Sequence, residues 1–146
     1  MSLQSRKTIR EQVAAGLTTA LSSVTPAPDV YDYMRTGFEG RSPIVRVWSE
    51  SSDRPESVAQ MINTRFVIDV QVWVLVDENG TAAEQAASED TLDAIEYAIA
   101  EWVEANQQNA YWNQVKFSRP SFIQTTLVGS YTYIVETLAL EVLAGD

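Results

Sequence analysis

The sequence contains no cysteine and no histidine among its 146 residues. Without cysteine the chain has no disulfide, no thiolate nucleophile and no thiolate metal ligand. Without histidine it lacks the commonest general base and the commonest metal ligand of proteins. It also has no apolar run of the length of a signal peptide or a membrane span, so we expect a protein that acts from the cytoplasm without membrane contact.

Positive charge is scarce as well and is unevenly placed, within a net charge of −10. Residues 1–65 carry eight basic and seven acidic side chains, whereas residues 66–146 carry two basic and thirteen acidic ones. Tight binding of nucleic acid needs clustered lysine and arginine, which this distribution does not offer. It is compatible with self-association between the basic half of one copy and the acidic half of the next, and equally with a solvated acidic surface.

Two segments have the periodicity of amphipathic helices. The first is predicted at 5–23, with Ser5 as its N-cap. Its apolar stripe consists of Ile9, Val13, Leu17 and Leu21. The second lies within 82–107, where both Thr81 and Ser88 are suitable N-caps.

Strands are predicted at 30–34, 43–49, 65–76, 112–127 and 131–143. The clearest is 65–76, in which six apolar residues alternate from Phe66 to Val76. Pro120 implies a bulge, an edge or a break in its strand. The sequence therefore predicts one α+β domain over residues 1–146, with a mostly antiparallel mixed sheet of four to five strands and both helices on one face. We interpret 50–63 as a long loop that contacts a partner.

Acidic side chains are the remaining candidates for chemistry, because two carboxylates can perform hydrolysis without histidine. Asp77 and Glu78 fall in a predicted turn at 77–80, and Glu89, Asp90 and Asp93 fall on a helix surface. Nothing in the sequence places either group in a pocket, and the turn lacks the ligand spacing of a calcium loop. The aromatic residues lack the basic groove of a nucleic-acid stacking platform, so we assign them to packing. We expect no enzyme activity, cofactor or metal.

The order of elements and several phrases of the sequence resemble the tail-terminator (tail-completion) proteins of long-tailed bacteriophages. The phrases are RKTIREQVAAGLTTALSS, SPIVRVW, RFVIDVQVWVLV, ASEDTLDAIEYAIAEWV and GSYTYIVETLALEVL. The resemblance implies a homo-oligomeric ring, six-fold in known cases, that caps the tail tube, ends its polymerisation and docks the head. It implies a virion location after assembly in the host cytoplasm, with the tail-tube protein and a head-completion protein as partners.

The candidate contact residues follow from this resemblance and from the charge distribution. Arg35, Arg41, Arg54 and Glu56 lie in predicted loops, and we expect them to contact a neighbouring subunit or the tube. DNA passes through such a ring without specific binding, so an acidic lumen would repel its phosphates. The predicted lumen residues are Glu89, Asp93, Glu96 and Glu101. The alternatives are a neck (head-completion) protein and a small ligand-binding or hydrolase domain.

Overall fold

A computed structural model describes residues 4–54 and 63–145 of the chain. In chain order the elements of this part are α1 (Arg6–Leu21), β1 (Asp29–Tyr31), β2 (Ile44–Asp53), β3 (Asn63–Val76), α2 (Ala82–Ala105), β4 (Gln114–Phe117), β5 (Phe122–Val128) and β6 (Tyr131–Gly145).

The strands form one sheet in the order β1-β2-β3-β6, and β4 and β5 both pair with the outer edge of β6. The β1–β2 pair is parallel and every other pair is antiparallel, which confirms the predicted α+β class and mixed sheet. The predicted count of four to five strands is wrong, because the described residues form six. The stretch 112–127 divides into β4 and β5 around Pro120, whose missing amide hydrogen interrupts a ladder.

The sequence placed the first helix correctly and left the start of the second open. The Ser5 side chain accepts a hydrogen bond from the amide of Thr8 at 3.1 Å and caps α1. Thr81 caps α2 in the same way, through the amide of Glu84 at 3.2 Å. Ser88 lies inside the helix instead, and its hydroxyl donates to the carbonyl of Leu75 at 3.1 Å. Of the two possible starts of the second helix, the earlier one, at Thr81, is therefore the one that is observed.

Both helices cover the same face of the sheet. α1 lies over β1 and β2, and α2 lies over β3 and β6. The alternating apolar residues of β3, Phe66 among them, pack with the helix stripes into one core. Gly16 allows the close approach of the helices, because a Cβ at that position would lie 2.5 Å from the ring of Trp102.

Two predicted boundaries differ most from the structure, beside shifts of one or two residues elsewhere. The first strand covers Asp29–Tyr31 rather than 30–34. Residues 50–53, predicted as loop, continue β2, where Ser51 pairs with Val67 after a register shift at Ser49. Backbone pairing with β3 outweighs the polar composition of this segment. Of the rest of the predicted loop, Arg54 follows β2 and Asn63 begins β3, while 55–62, including Glu56, lie outside the described residues.

The opposite face of the sheet carries a small aromatic cluster in place of a helix. The ring of Phe38 approaches Trp73 at 4.8 Å and Tyr133 at 5.7 Å, both edge to face. The segment that contains Phe38 connects β1 and β2 and folds over this end of the face. We call this the open face, because no helix of the described residues covers it.

Candidate interaction surfaces

A basic groove lies where the start of α1 meets the outer side of β2. Its volume is about 730 Å³. The charged residues that line it are Arg6, Lys7, Arg10 and Arg54, and the large uncharged ones are Tyr33, Met34 and Trp48. Among the described residues that line the groove, none is acidic. The groove thus combines positive charge with apolar contact area, a composition suited to an acidic protein surface.

The strand pairing explains why this groove is open. β1 pairs with only the first three residues of β2, Ile44 to Arg46. Beyond Arg46 the outer edge of β2 has no partner strand within the part of the chain that the structure describes. Trp48 therefore lies at a free strand edge.

Arg54, predicted as a contact residue, lies in this groove and also has a role within the chain. Its guanidinium donates to the hydroxyl of Thr64 at 3.3 Å and to the carbonyl of Gln4 at 2.9 Å. It also lies over the ring of Phe66, 5.4 Å from the centroid. Arg54 thus joins the segment before α1 to the start of β3, and its charge contributes to the groove.

Arg35 and Arg41 do not line the groove with Arg54. The guanidinium of Arg35 lies 4.6 Å from the centroid of the Tyr31 ring, and its Nε donates to the carbonyl of Gly37. The pKa of Arg41 is raised, mainly by a hydrogen bond with the Tyr31 hydroxyl. The structure therefore groups these two arginines around Tyr31 and separates them from the groove.

The predicted lumen residues fall on two sides of α2. Glu89, Asp93 and Glu96 follow one another at four and three residues, which places them on one stripe. Glu101 comes five residues after Glu96 and so points about 140° away around the helix. We call the first three the acidic stripe.

A buried carboxyl that the sequence did not single out shows where the acidic stripe faces. Glu136 lies on β6, on the helix-covered side of the sheet, and its Oε2 accepts a 2.6 Å hydrogen bond from the hydroxyl of Ser121. Burial raises the pKa of Glu136, and the charges of Glu96 and Asp93 raise it further, while the bond from Ser121 opposes the shift. Asp93 and Glu96 therefore face β6 and the neighbouring β5.

Strand β5 adds apolar surface beside the acidic stripe. Ile123 pairs with Glu136 and Leu127 pairs with Thr132, so both side chains project from the helix-covered side of the sheet. They are 56% and 68% exposed. Within the described residues, β5 has β6 on one edge and no strand on the other. Exposed apolar residues on a free strand edge are typical of a contact surface.

A second cluster of charges lies on the open face. Arg119, in the break between β4 and β5, contacts the carboxylate of Glu50 at 2.7 Å and that of Asp69 at 3.4 Å. Burial and contact with Glu50 raise the pKa of Asp69 to about 7, although Arg119 opposes the shift. Hydrogen bonds with Arg119 and then with Asp69 lower the pKa of Glu50. The two acids thus behave as a pair in which Asp69 holds the proton.

The sequence pattern draws attention to other acids and does not single out Glu50 and Asp69. The available signal was a lone aspartate inside the strongly apolar alternation of β3, but its partners come from β2 and from the break after β4. Among the described residues, no group of three or more acids is arranged to hold a metal ion. No helix in the described part of the chain is long and apolar enough to cross a membrane.

Two solved structures share this fold over nearly the whole chain. No family profile and no curated protein matches the sequence. One similar structure, which carries no functional name, is 21% identical, with 96% of each chain covered and a TM-score of 0.53. The other belongs to the virion of a native gene transfer agent particle and is 15% identical, with 99% of this chain and 96% of that chain covered and a TM-score of 0.50. At these identities the likeness shows a common fold.

Proposed function

We propose that this chain is a structural protein of a phage-type particle, and more specifically a tail terminator. The observation that carries the proposal is the end-to-end match with a chain of a gene transfer agent virion, which covers 99% of this chain. The order of sequence phrases that resembles the tail terminators supports the narrower assignment. In this role the protein assembles and caps, and it performs no chemical reaction.

The distribution of contact surfaces supports assembly into a ring. The basic groove lies at the β1–β2 end of the sheet, and the acidic stripe lies at the β6–β5 end. A contact between two unlike surfaces repeats from copy to copy, and it closes into a ring when the rotation permits. We propose six copies, following the tail terminators.

The lumen of the proposed ring is acidic. Glu101 points away from the acidic stripe and is exposed near the end of α2. Duplex DNA carries about one negative charge per 1.7 Å, so carboxylates along its path would prevent it from adhering. DNA would then pass through the ring without specific binding.

The test is to measure assembly and then capping. Sedimentation velocity and negative-stain microscopy of the purified protein should show closed rings. Added to growing tail tubes of the particle encoded with this gene, the rings should cover one tube end and stop elongation. Bovine serum albumin at the same concentration serves as the control for nonspecific arrest. Rings that bind only the DNA-filled head would identify a neck protein instead, and a protein that binds neither structure would contradict both roles.

A further inference from the structure

We propose that the basic groove of one copy binds the acidic stripe and the β5 edge of a second copy of this chain. This inference rests on the proposed ring and names the surfaces that join its subunits. It assigns Glu89, Asp93 and Glu96 to the subunit contact and leaves Glu101 as the lumen candidate.

Charge complementarity is the first argument for this occupant. The groove has four basic residues, and α2 has no basic residue at all along its 24 residues. Of the groove cations, Lys7 makes one weak pair with Glu11 at 3.8 Å, and Arg6 and Arg10 make no ion pair with any described residue. On the other side, Asp93 and Glu96 have no basic partner in the described chain and repel Glu136. A neighbour's cations would remove that repulsion.

Apolar surface and backbone provide the second argument. The groove offers Tyr33 and Met34, which are 49% and 52% exposed, and the acidic end offers Ile123 and Leu127. A strand edge that pairs with no described strand accompanies each surface, β2 beside the groove and β5 beside the stripe. Each surface therefore has one sign of charge, exposed apolar side chains and a strand edge without a partner among the described residues, which a purely solvated surface does not need.

The position of the two surfaces is the third argument. They lie at opposite ends of the sheet order, so one molecule cannot satisfy its own groove with its own stripe. The contact must form between copies, and it must run head to tail. Such a contact leaves both end surfaces of an open chain unsatisfied, which favours closure.

The experiment reverses each surface separately and then combines the variants. The groove variant is Arg6→Glu with Lys7→Glu, and the stripe variant is Glu89→Lys with Asp93→Lys. The first should fold, because α1 has no acid in its first turn and acids there favour a helix. The second places two good helix formers at exposed positions. Circular dichroism and thermal melting check that both remain folded.

Sedimentation velocity in 50 mM salt is the measurement. Each variant alone should associate at least about tenfold more weakly than the wild type, because like charges then face each other. An equimolar mixture should recover association, since the reversed groove of one variant meets the reversed stripe of the other in an alternating ring. The matched control is Asp90→Lys with Glu101→Lys, which changes the charge of α2 equally at two exposed positions about 100° around the helix from the centre of the stripe and should associate normally.

The outcomes separate this contact from the ring itself. If the wild type forms rings and the reversals do not weaken them, the assignment of surfaces is wrong and the ring proposal stands. If the control loses association as much as the stripe variant, net charge is responsible and the specific contact is wrong. Failure of the mixture to recover, with both variants folded, also overturns the contact. A wild-type monomer at every concentration overturns the contact and contradicts the ring as well.

Discussion

The side chains on the two faces of the sheet are buried in different ways. On the covered face, α1 and α2 supply apolar stripes, and the facing residues of β3 and β6 are mostly apolar, with Thr64, Thr132 and Glu136 as buried polar exceptions. On the open face, buried positions include Asp69, Thr137 and the half-buried Gln71, which are held by hydrogen bonds and ion pairs. On the covered face, the helices exclude water from the sheet. On the open face, the long side chains must exclude water themselves and must also provide hydrogen-bond partners for one another.

A network centred on Gln71 shows how the open face is satisfied. The Gln71 Oε1 accepts hydrogen bonds from Arg46 Nε at 2.9 Å and from Trp73 Nε1 at 3.1 Å. Its Nε2 donates to the Thr137 hydroxyl at 2.9 Å. Arg46 also lies 4.9 Å from the centroid of a Trp73 ring and 5.0 Å from that of Trp48. One amide thus links three strands, and the arginine covers the aromatic residues beside it.

The comparison predicts that truncating a buried valine to alanine lowers the free energy of unfolding more on the covered face than on the open face. Val70 and Val67 lie on β3, are both buried, and point to opposite faces. Val70→Ala should lower the free energy of unfolding by about 2.5 kcal/mol, because the rigid core between helices and sheet keeps the cavity. Val67→Ala should cost about 1 kcal/mol, because flexible neighbours can fill the space. Urea unfolding of the two variants measures both values, and equal losses would show that the faces are equally rigid.

The second prediction concerns the polar network of the open face. Gln71→Leu should cost about 2 kcal/mol, because it leaves donors of Arg46 and Trp73 without an acceptor. Gln71→Glu keeps an acceptor for both and should remain within about 0.5 kcal/mol of the wild type. Thermal melting at pH 8 distinguishes the two. If both variants lose the same stability, the amide contributes by its shape and not by its hydrogen bonds.

The difference between the faces also explains what the sequence could predict. The covered face, the helix positions and the fold class could be predicted from the sequence. Their signals are the strict alternation of β3 and the apolar stripe of α1, and each of these is contained in a single segment. The open face depends on contacts between distant segments: Arg119 lies 50 residues from Asp69, and Thr137 lies 66 residues from Gln71. Composition cannot show such pairings, and it did not show that polar residues 50–53 would extend β2.

The interaction surfaces, too, are predictable where one segment carries the signal and unpredictable where distant segments meet. The acids of α2 could be assigned to the helix exterior from periodicity alone, but the stripe that faces β5 became visible only through Glu136. The sequence groups Arg54 with Arg35 and Arg41, because all three lie in predicted loops. The structure places Arg54 with the cations of α1 and the other two around Tyr31. Position along the chain could not separate them, because the groove is built by three elements.

The smallest predicted effect is a dependence of stability on pH that originates mainly on the open face. The pKa of Asp69 in the folded protein, about 7, is above the 3.8 of an unperturbed aspartate. Between these values the folded state holds a proton that the unfolded state has released, so stability falls as pH rises, until pH exceeds the folded pKa. Glu50 has a lowered pKa and loses its contribution only below about pH 4.5, which is the acidic side of this window.

The chain has no histidine to titrate in this window, so the pH dependence of stability there can be assigned to carboxyl groups. The free energy of unfolding should fall on the order of 1 kcal/mol from pH 6 to pH 8, since one pKa unit corresponds to about 1.4 kcal/mol. Asp69→Asn should remove most of this slope. Urea unfolding at both pH values gives the slopes. A slope that survives in Asp69→Asn would mean that Arg119 keeps Asp69 ionised in the folded state, and that the open face is held by two ion pairs instead of a shared proton.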